Sequence, residues 1–259
     1  MTILVTGATG QVGGQVVSQL SVSVRRFSRS TGGDITSAAS VRAALDGVSS
    51  VFLVWPFFHT EGFESIIDVI AASSARRVVY LSSAGAPDWA LGVEKQIEAS
   101  GLEWTFLQPT GFARNALGWA EEIKTTGVVR APFGAMARPL IHEYDMAAVG
   151  VQALLSDKHV GARYVLSGPS LISQVSQVEV IGEVIRRELR FEEQPAEEAQ
   201  AEMLAAGWPE TVANEALGAW AAMTAHPEPI TSTVEEVTGA PAKTFREWAQ
   251  DHIADFTTS

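Results

Sequence analysis

The sequence contains no cysteine among its 259 residues. This absence excludes disulfide bonds, thiolate metal sites and a cysteine nucleophile. The chain also has no run of about 18 uncharged apolar residues, so we expect no transmembrane helix. Its first residues, MTILVTG, contain no basic region before an apolar segment. We therefore expect no signal peptide and predict a cytoplasmic protein.

Positive charge is scarce. The chain has 18 Lys and Arg against 30 Asp and Glu, which gives a formal net charge of −12. Such an acidic chain repels the backbone of nucleic acids. The basic residues cluster only in VRRFSRS, as Arg25, Arg26 and Arg29. These arginines suit a single phosphate group, or alternatively a solvated strand edge. We expect neither a nucleic-acid nor a membrane partner, and we leave a homodimer open.

Motifs of hydrolases and metalloenzymes are also missing. The sequence has no GxSxG nucleophile elbow. His142 and Glu143 have no second histidine at metal-ligand spacing, and His226 and His252 lie far along the chain in helical segments. We therefore predict no metal site. His142 is interpreted as a structural residue at a helix start, and Asp145 as a residue that holds a loop.

Apolar runs alternate with helix-like segments over the first two thirds of the chain. These runs are rich in Val, Leu and aromatic residues and end in turn residues, as buried strands do. The predicted strands are 3–7, 22–27, 50–56, 76–83, 102–109 and 163–168. Such alternation predicts an α/β fold, a doubly wound parallel sheet with helices on both faces. Helical patterns dominate after about residue 170. We therefore predict a nucleotide-binding domain in residues 1–168 and a smaller, mostly helical C-terminal lobe in residues 169–259.

A glycine-rich turn follows the first strand. Gly7, Gly10 and Gly13 form GxxGxxG in GATGQVG. In dinucleotide-binding turns the first glycine allows the sharp turn, the second lets the backbone approach a pyrophosphate, and the third lets the helix lie close to the strand. The helix N-terminus then points its N–H groups at the phosphates. The turn predicts a bound dinucleotide, the alternative being a tight turn without a ligand.

The end of the second strand indicates which dinucleotide is bound. NAD is usually held by a carboxylate at this position, on the ribose 2′-hydroxyl. Here the strand ends in RRFSRS and has no Asp or Glu. Arg29, with Ser28 or Ser30, would instead make charge-assisted hydrogen bonds to a 2′-phosphate. The sequence therefore predicts NADP(H) as the cofactor.

The chain resembles the NmrA-like NAD(P)H-binding proteins, atypical members of the short-chain dehydrogenase/reductase superfamily. The resemblance lies in TGATGQVG, VFLVWP, RRVVYLSSAGA, GLEWTFLQPTGFARN, IHEYDMAAV and TFREWAQDHIADF. It implies a Rossmann-type domain, a C-terminal substrate lobe and a cleft between them. The implied cofactor-binding residues are Gly7, Thr9, Gly10, Gln11, Val12, Ser28, Arg29, Ser30, Asp34, Ile35, Val54, Trp55, Pro56, Ser82, Ser83, Ala84, Pro109, Thr110 and Phe112.

Two positions depart from the family pattern. Members often carry Arg where this chain has Gln108, so a supporting ion pair is expected to be lost. Relatives also place a further strand between the arginine of the second strand and the pair that matches Gly33-Asp34. Here only a short segment joins Arg29 to that pair. Either the third strand is missing or a loop is absent from the sequence.

The superfamily's usual proton donor, a tyrosine with a lysine four residues on, is absent. Leu91 precedes Lys95 at that spacing, and none of the three tyrosines has such a lysine. A conjugated acceptor needs less help, because its charge is delocalised after hydride addition. His59 is the candidate catalytic donor, and Asn115 is a candidate partner for a substrate carbonyl. The predicted aromatic substrate pocket comprises Phe57, Phe58, His59, Phe112, Asn115, Trp119 and Phe133, with Trp55 beside it.

These residues predict an NADPH-dependent reductase that transfers hydride to an aromatic or quinone substrate. The pocket aromatics, together with the substrates usual in the family that the chain resembles, favour a polycyclic polyketide quinone of secondary metabolism. One alternative is a non-catalytic NAD(P)H redox sensor that binds a protein partner, which the missing Tyr-Lys pair would allow. Another is an isomerase or dehydratase that uses the cofactor only structurally.

Overall fold

A computed structural model describes residues 1–85 and 87–258 of the chain. The strands are β1 (Thr2–Thr6), β2 (Ser23–Phe27), β3 (Ser50–Val54), β4 (Arg77–Leu81), β5 (Glu103–Pro109), β6 (Val128–Ala131), β7 (Ala137–Arg138), β8 (Ala162–Leu166), β9 (Ile172–Ser173) and β10 (Arg190–Glu193). The helices are α1 (Gln11–Gln19), α2 (Ala38–Ala44), α3 (Phe63–Ala71), α4 (Asp88–Ala99), α5 (Ala120–Thr125), α6 (Glu143–Leu155), α7 (Gln174–Ile185), α8 (Ala196–Ala205), α9 (Glu210–Ala225), α10 (Thr233–Thr238), α11 (Phe245–Asp251) and α12 (Ile253–Phe256). In these ranges no helix is both long enough and apolar enough to cross a membrane.

The central feature of the first compact unit is a parallel sheet. Over the described residues it has six strands in the order β2-β1-β3-β4-β5-β8. The chain moves from β1 outward to β2, then returns to the other side of β1 with β3. That change of direction is a topological switch point, where open α/β sheets bind ligands. All six predicted runs form strands, and the predicted doubly wound Rossmann-type sheet is confirmed.

Helices cover both faces of this sheet. One face carries Leu4, Leu53 and Tyr80, which share a core with the apolar sides of α2, α3 and α4. Because side chains alternate along a strand, Phe52 points to the opposite face. There it meets α6 at Gly150, where an added Cβ would lie 2.8 Å from the Phe52 ring. The strands are therefore buried on both sides, which explains their continuous apolar runs.

The sheet ends at β2. In the described part of the chain no strand lies outside β2, and residues 29–31 form a single 3-10 turn that leads toward α2. Gly32 ends this turn in the left-handed conformation, with φ of +82°. In the described residues the chain therefore reaches α2 without a further edge strand.

The second compact unit is mostly helical and has its own core. Trp248 is fully buried at its centre, packed against Phe245 and Phe256. Helices α5, α7 and α11 contribute apolar side chains to the same cluster. Two short strand pairs complete the unit, a parallel pair of β6 with β10 and an antiparallel pair of β7 with β9.

The two units are interleaved along the chain. The first comprises Met1–Thr110, Glu143–Leu166 and Ser232–Pro241, and the second comprises Gly111–His142, Ser167–Thr231 and Ala242–Ser259. The sequence predicted one boundary, between residues 168 and 169. The difference arises because the crossover from β5 to β8 contains α6, which packs on the sheet, and also residues 111–142, which pack with the C-terminal helices.

Candidate active site

The glycine-rich turn folds tightly against the start of α1. Gly7 has φ of +60°, and its carbonyl accepts a hydrogen bond of 2.8 Å from the Gly10 N–H. At Gly13 an added Cβ would lie only 2.3 Å from the same carbonyl oxygen. No side chain in the described part of the chain caps the first turn of α1. Its backbone N–H groups are therefore available to phosphate oxygens.

A side-chain hydrogen bond ties this turn to the neighbouring strand end. The Thr6 hydroxyl accepts from the Val54 N–H at 2.7 Å and lies 3.3 Å from the Val54 carbonyl oxygen. Gly7 also packs on Val54, since an added Cβ would be 3.4 Å from the Val54 Cβ. The switch point of the sheet thus has a defined shape, with the predicted residue Val54 beside the predicted phosphate turn.

Arg29 lies in a hydrogen-bonded turn at the carboxyl end of β2. The Ser28 N–H donates to the Thr31 hydroxyl at 2.9 Å, which closes the turn around Arg29. The Ser30 hydroxyl donates to the Thr9 hydroxyl at 3.1 Å and so connects this turn to the glycine-rich turn. The Arg29 side chain is exposed. These contacts place Arg29, which is exposed, in a turn that is joined to the predicted phosphate cradle.

The other arginines of the cluster are placed differently. Arg25 donates through Nη1 to the carbonyl oxygens of Ala44 at 2.7 Å and Asp46 at 2.6 Å. It therefore binds the C-terminal end of α2. Arg26 is exposed on the edge strand itself. Only the structure separates Arg25, which stabilises a helix end, from Arg29, which faces solvent at the strand terminus.

Asp34 belongs to the turn before α2. Its Oδ1 accepts from the Thr36 N–H at 2.9 Å and from the Thr36 hydroxyl at 2.7 Å, and these bonds hold the pKa of its carboxyl below the usual value. The adjacent Ile35 packs against the core of the first unit. Contact of this pair with an adenine ring stays a prediction.

The aromatic residues after β3 pack mainly on one another. Trp55 is buried and its Nε1 donates to the His59 carbonyl oxygen at 2.8 Å. Phe57 lies between them, edge-on to Trp55 and stacked on His59. Phe58 is 83% exposed and meets the ring of Trp89. Trp55 is thus held in the core, whereas His59 is exposed to solvent.

The ends of β4 and β5 meet at the same edge of the sheet. The Ala84 N–H donates to the Pro109 carbonyl at 2.9 Å, and the Thr110 N–H donates to the Leu166 carbonyl at 2.9 Å. These bonds bring together the predicted residues of both strand ends, namely Ser82, Ser83, Ala84, Pro109 and Thr110.

A buried carboxylate, which was not predicted, lies behind this edge. Glu94 on α4 is 2% exposed, and its Oε1 accepts from the Ser82 hydroxyl at 2.5 Å and from Gln108 Nε2 at 2.9 Å. Arg163 on β8 supplies a positive charge, with Nε 3.5 Å from Glu94 Oε2. Gln108 therefore contributes a neutral hydrogen bond to Glu94, and the positive charge comes from β8. Burial, together with the charge of Glu94, raises the pKa of Tyr80 and keeps its hydroxyl neutral.

Glu94→Ala is expected to lower the free energy of unfolding by about 2–4 kcal/mol, because Ser82 and Gln108 lose a buried acceptor and a cavity remains. Urea unfolding measures the change. Glu98→Ala is the matched control, since Glu98 lies one turn along the same helix and pairs with the same Arg163 at the surface. Its loss is expected to cost less than about 1 kcal/mol. Equal effects of the two substitutions would contradict this account.

The second unit contains a cavity of about 330 Å³. This volume lies at the lower end of the range for small-molecule sites. Apolar and aromatic residues form most of its wall, among them Phe112, Trp119, Met136 and Trp220. The predicted substrate residues Phe112, Asn115 and Trp119 all line it, whereas Phe133 does not. Phe133 instead occupies an adjacent turn with φ of +60°, and its N–H donates to Glu193.

The predicted substrate residues are distributed over both compact units. Phe57, Phe58 and His59 belong to the first unit, and Phe112, Asn115 and Trp119 line the cavity of the second unit. That these residues form one substrate pocket stays a prediction.

His142 is a buried residue immediately before α6. Its Nε2 lies 3.3 Å from Asp251 Oδ2, and its ring lies near that of His252. In residues 1–85 and 87–258 no group of three His, Cys, Asp or Glu side chains is arranged to hold a metal ion. The contacts of His142 are those of a structural residue.

Comparison with family models gives no match. Individual proteins, however, match over their whole length. The chain is 36% identical to a (4-alkanoyl-5-oxo-2,5-dihydrofuran-3-yl)methyl phosphate reductase of Streptomyces griseus, over 98% of this chain and 99% of that protein. It is 30% identical to an NAD(P)H azoreductase of Xenophilus azovorans, over 98% of this chain and 99% of that protein.

Solved structures give the same fold at lower identity. A triphenylmethane reductase of Citrobacter sp. superposes with a TM-score of 0.80 at 17% identity, covering 98% of this chain and 100% of that one. An NADPH-dependent quinone oxidoreductase of Escherichia coli, solved with NADPH, superposes with a TM-score of 0.79 at 20% identity, covering 97% and 99%.

A glycine turn at the switch point of a doubly wound parallel sheet defines a Rossmann-type dinucleotide-binding protein. Whole-length similarity to two reductases narrows this class. The chain belongs to the NmrA-like family of NAD(P)H-binding reductases, an atypical branch of the short-chain dehydrogenase/reductase superfamily. The predicted family and the predicted class of NAD(P)H-dependent oxidoreductase are thereby confirmed.

Proposed function

We propose that this protein is an NADPH-dependent reductase whose substrate is an aromatic or quinone compound with a conjugated, electron-poor double-bond system. The observation that carries the proposal is the exposed Arg29, which is hydrogen-bonded through its turn to the glycine-rich turn. An arginine at this strand end favours a 2′-phosphate.

The glycine-rich turn also fits the cofactor. The 2.3 Å approach at Gly13 leaves no room for a side chain, so the turn brings backbone N–H groups close to the position that a pyrophosphate takes in this fold. NADPH supplies a hydride when bound. Gly7, Gly10 and the first turn of α1 would hold its phosphates, and Arg29 with Ser28 and Ser30 would hold the 2′-phosphate.

We base the substrate class on the names of the two relatives that match over their whole length, because both names describe acceptors with similar chemistry. An azo bond, and a furanone double bond flanked by an oxo and an alkanoyl group, both accept hydride and spread the resulting negative charge over several atoms. A quinone does the same. Such acceptors suit a chain without the Tyr-Lys pair, in which the phenol of Tyr80 is buried in the core. His59, whose imidazole is exposed, or water would supply the proton.

The cavity of the second unit supports an aromatic substrate. Phe112, Trp119 and Trp220 line it, and aromatic side chains pack well against a flat, conjugated ligand. We propose a polycyclic polyketide quinone as the natural substrate class. The matching furanone reductase, whose name describes an alkanoyl-bearing phosphate ester, gives a second candidate substrate.

An acceptor panel tests the proposed function. NADPH oxidation is followed without oxygen in the presence of a naphthoquinone, an anthraquinone, an azo dye and an alkanoyl furanone phosphate. We expect acceptor-dependent loss of NADPH absorbance with a quinone, slower loss with NADH, and a reduced product by mass spectrometry. NADPH binding without oxidation by any acceptor would contradict the reductase and favour a sensor.

A further inference from the structure

The wall of the cavity in the second unit carries a carboxylate without a counter-charge. The ionisable residues that line this cavity are Arg130, Arg138 and Glu202. Both arginines form ion pairs, whereas within residues 1–85 and 87–258 no basic side chain forms one with Glu202. We propose that Glu202 is a specificity-determining residue of this cavity. It favours an aromatic or quinone ligand that carries a protonated amine and disfavours one that carries a phosphate or carboxylate group.

The two arginines of the wall are neutralised by glutamates of the same unit. Arg138 donates from Nε to Glu228 Oε2 at 2.7 Å and from Nη2 to Glu228 Oε1 at 3.0 Å. Two such parallel bonds are the strong form of an arginine–carboxylate contact. Arg130 donates from Nη2 to Glu198 Oε2 at 3.0 Å. An anionic ligand would have to compete with these carboxylates, so the arginines give it little net attraction.

Glu202 belongs to a pair of helices that has no positive charge of its own. Helices α8 and α9 have the sequences AEEAQAEMLA and ETVANEALGAWAAMTA, which contain glutamates but no Lys, Arg or His. Glu202 is exposed to solvent and also lines the cavity. A charge acts without contact over distances up to the Debye length, about 8 Å at physiological salt. The carboxylate therefore attracts a cation in the cavity without a direct hydrogen bond.

Aromatic residues of the same wall favour the same kind of ligand. Trp119 and Trp220 line the cavity together with Phe112. Aromatic rings attract cations through their π systems, and Trp does so most strongly. Such side chains also pack well against a flat ligand. A planar ligand with an ammonium group therefore matches both the aromatic residues and the carboxylate, whereas a phosphate ester would be repelled by Glu202.

Three anthraquinones that differ in one substituent test this proposal, which deepens the proposed function by giving the charge of the acceptor. They carry an aminomethyl group, a hydroxymethyl group or a carboxylate, and are therefore positive, neutral and negative at neutral pH. The protein is saturated with NADP⁺ so that no turnover occurs, and calorimetry measures each Kd. In the wild-type protein we expect the aminomethyl compound to bind about threefold more tightly than the alcohol, and the carboxylate about threefold more weakly.

Glu202→Gln keeps the size of the side chain and removes its charge. We expect this variant to raise the Kd of the aminomethyl compound about threefold, to lower that of the carboxylate, and to leave that of the alcohol unchanged. Glu197→Gln is the matched control. Glu197 is an exposed residue of the same helix and is not among the described residues that line the cavity. All three Kd values are expected to stay unchanged in this control.

Glu198→Gln tests the neutralisation of Arg130. The side chains of this ion pair are 48% and 55% exposed, so its loss is expected to have little effect on folding. Without Glu198, the positive charge of Arg130 is uncompensated at the cavity wall. We therefore expect the Kd of the carboxylate to fall about threefold and that of the aminomethyl compound to rise.

The proposal is overturned if the wild-type protein binds none of the three compounds or binds them with equal Kd values. It is also overturned if Glu202→Gln and Glu197→Gln have equal effects, or if Glu198→Gln does not strengthen binding of the carboxylate. Failure of the proposed function has a different signature, namely charge-selective binding by a protein that oxidises no NADPH with any acceptor.

Discussion

Gly13→Ala is expected to raise the Kd of NADPH roughly 10- to 100-fold, which corresponds to the ~1–3 kcal/mol that forced overpacking costs. An added Cβ would lie 2.3 Å from the Gly7 carbonyl oxygen, 2.7 Å from the Gly7 carbonyl carbon and 3.0 Å from the Thr6 carbonyl oxygen. All three are backbone atoms and cannot rotate away as a side chain can. Either the turn or α1 must move, and both present the N–H groups that would bind phosphate. Fluorescence titration of NADPH measures the change.

Gly14→Ala is the matched control. Gly14 is the next residue of α1, and an added Cβ there would lie 3.7 Å from the nearest atom, the Ala8 carbonyl oxygen. This distance is an ordinary contact, so the substitution is expected to leave NADPH affinity unchanged. Alanine also favours a helix over glycine by about 1 kcal/mol, so stability should hold or rise. Equal loss of binding in both variants would contradict the argument from close approach.

The sheet could be predicted from the sequence because its physical signals are local. Each strand is a short apolar run closed by turn residues, and Phe52 with Leu53 illustrates why: consecutive residues face opposite, equally buried sides. The glycine turn is similarly local, since Gly7, Gly10 and Gly13 act on a single strand–helix connection. The order and spacing of these residues along the chain are therefore enough to predict the strands and the glycine-rich turn.

Other features depend on contacts between distant segments. The motif VRRFSRS does not distinguish Arg25 from Arg29. In the fold, the C-terminal end of α2 lies against Arg25 and accepts its hydrogen bonds. The buried Glu94 forms an ion pair with Arg163, which lies 69 residues further along the chain. Arg163 belongs to β8, and no sequence motif indicates where this strand lies in the sheet. The division of the chain into interleaved units has the same origin, because the crossover before α6 contributes to the core around Trp248.

The aromatic residues illustrate a second limit of prediction from the sequence. Trp55 and Trp119 have the same side chain, yet the first is buried in the core and the second lines a cavity. The side-chain type predicts that both residues are largely buried, but it does not predict whether a residue packs in the core or lines a cavity.

The proposed preference for NADPH over NADH depends mainly on one side chain. Arg29 is exposed at the end of β2, and Ser30 joins its turn to Thr9 in the glycine-rich turn. The edge position of β2 in the described residues adds to this role, because no further strand covers the turn from outside. A 2′-phosphate at this position would meet the guanidinium directly, whereas the 2′-hydroxyl of NADH offers it no charge.

Arg29→Ala is therefore expected to raise the Kd of NADPH roughly 10- to 100-fold, which corresponds to the loss of charge-assisted hydrogen bonds worth about 1.5–3 kcal/mol. The Kd of NADH should change less than about twofold, since a neutral hydroxyl gains little from the charge. Arg26→Ala removes an equal charge from the exposed face of the same strand and serves as the control for a general effect of net charge. Titration of each variant with both nucleotides, repeated at high salt, gives the comparison. An equal loss for NADPH and NADH in Arg29→Ala, or an equal loss of NADPH affinity in Arg26→Ala, would show that the guanidinium does not read the 2′-phosphate.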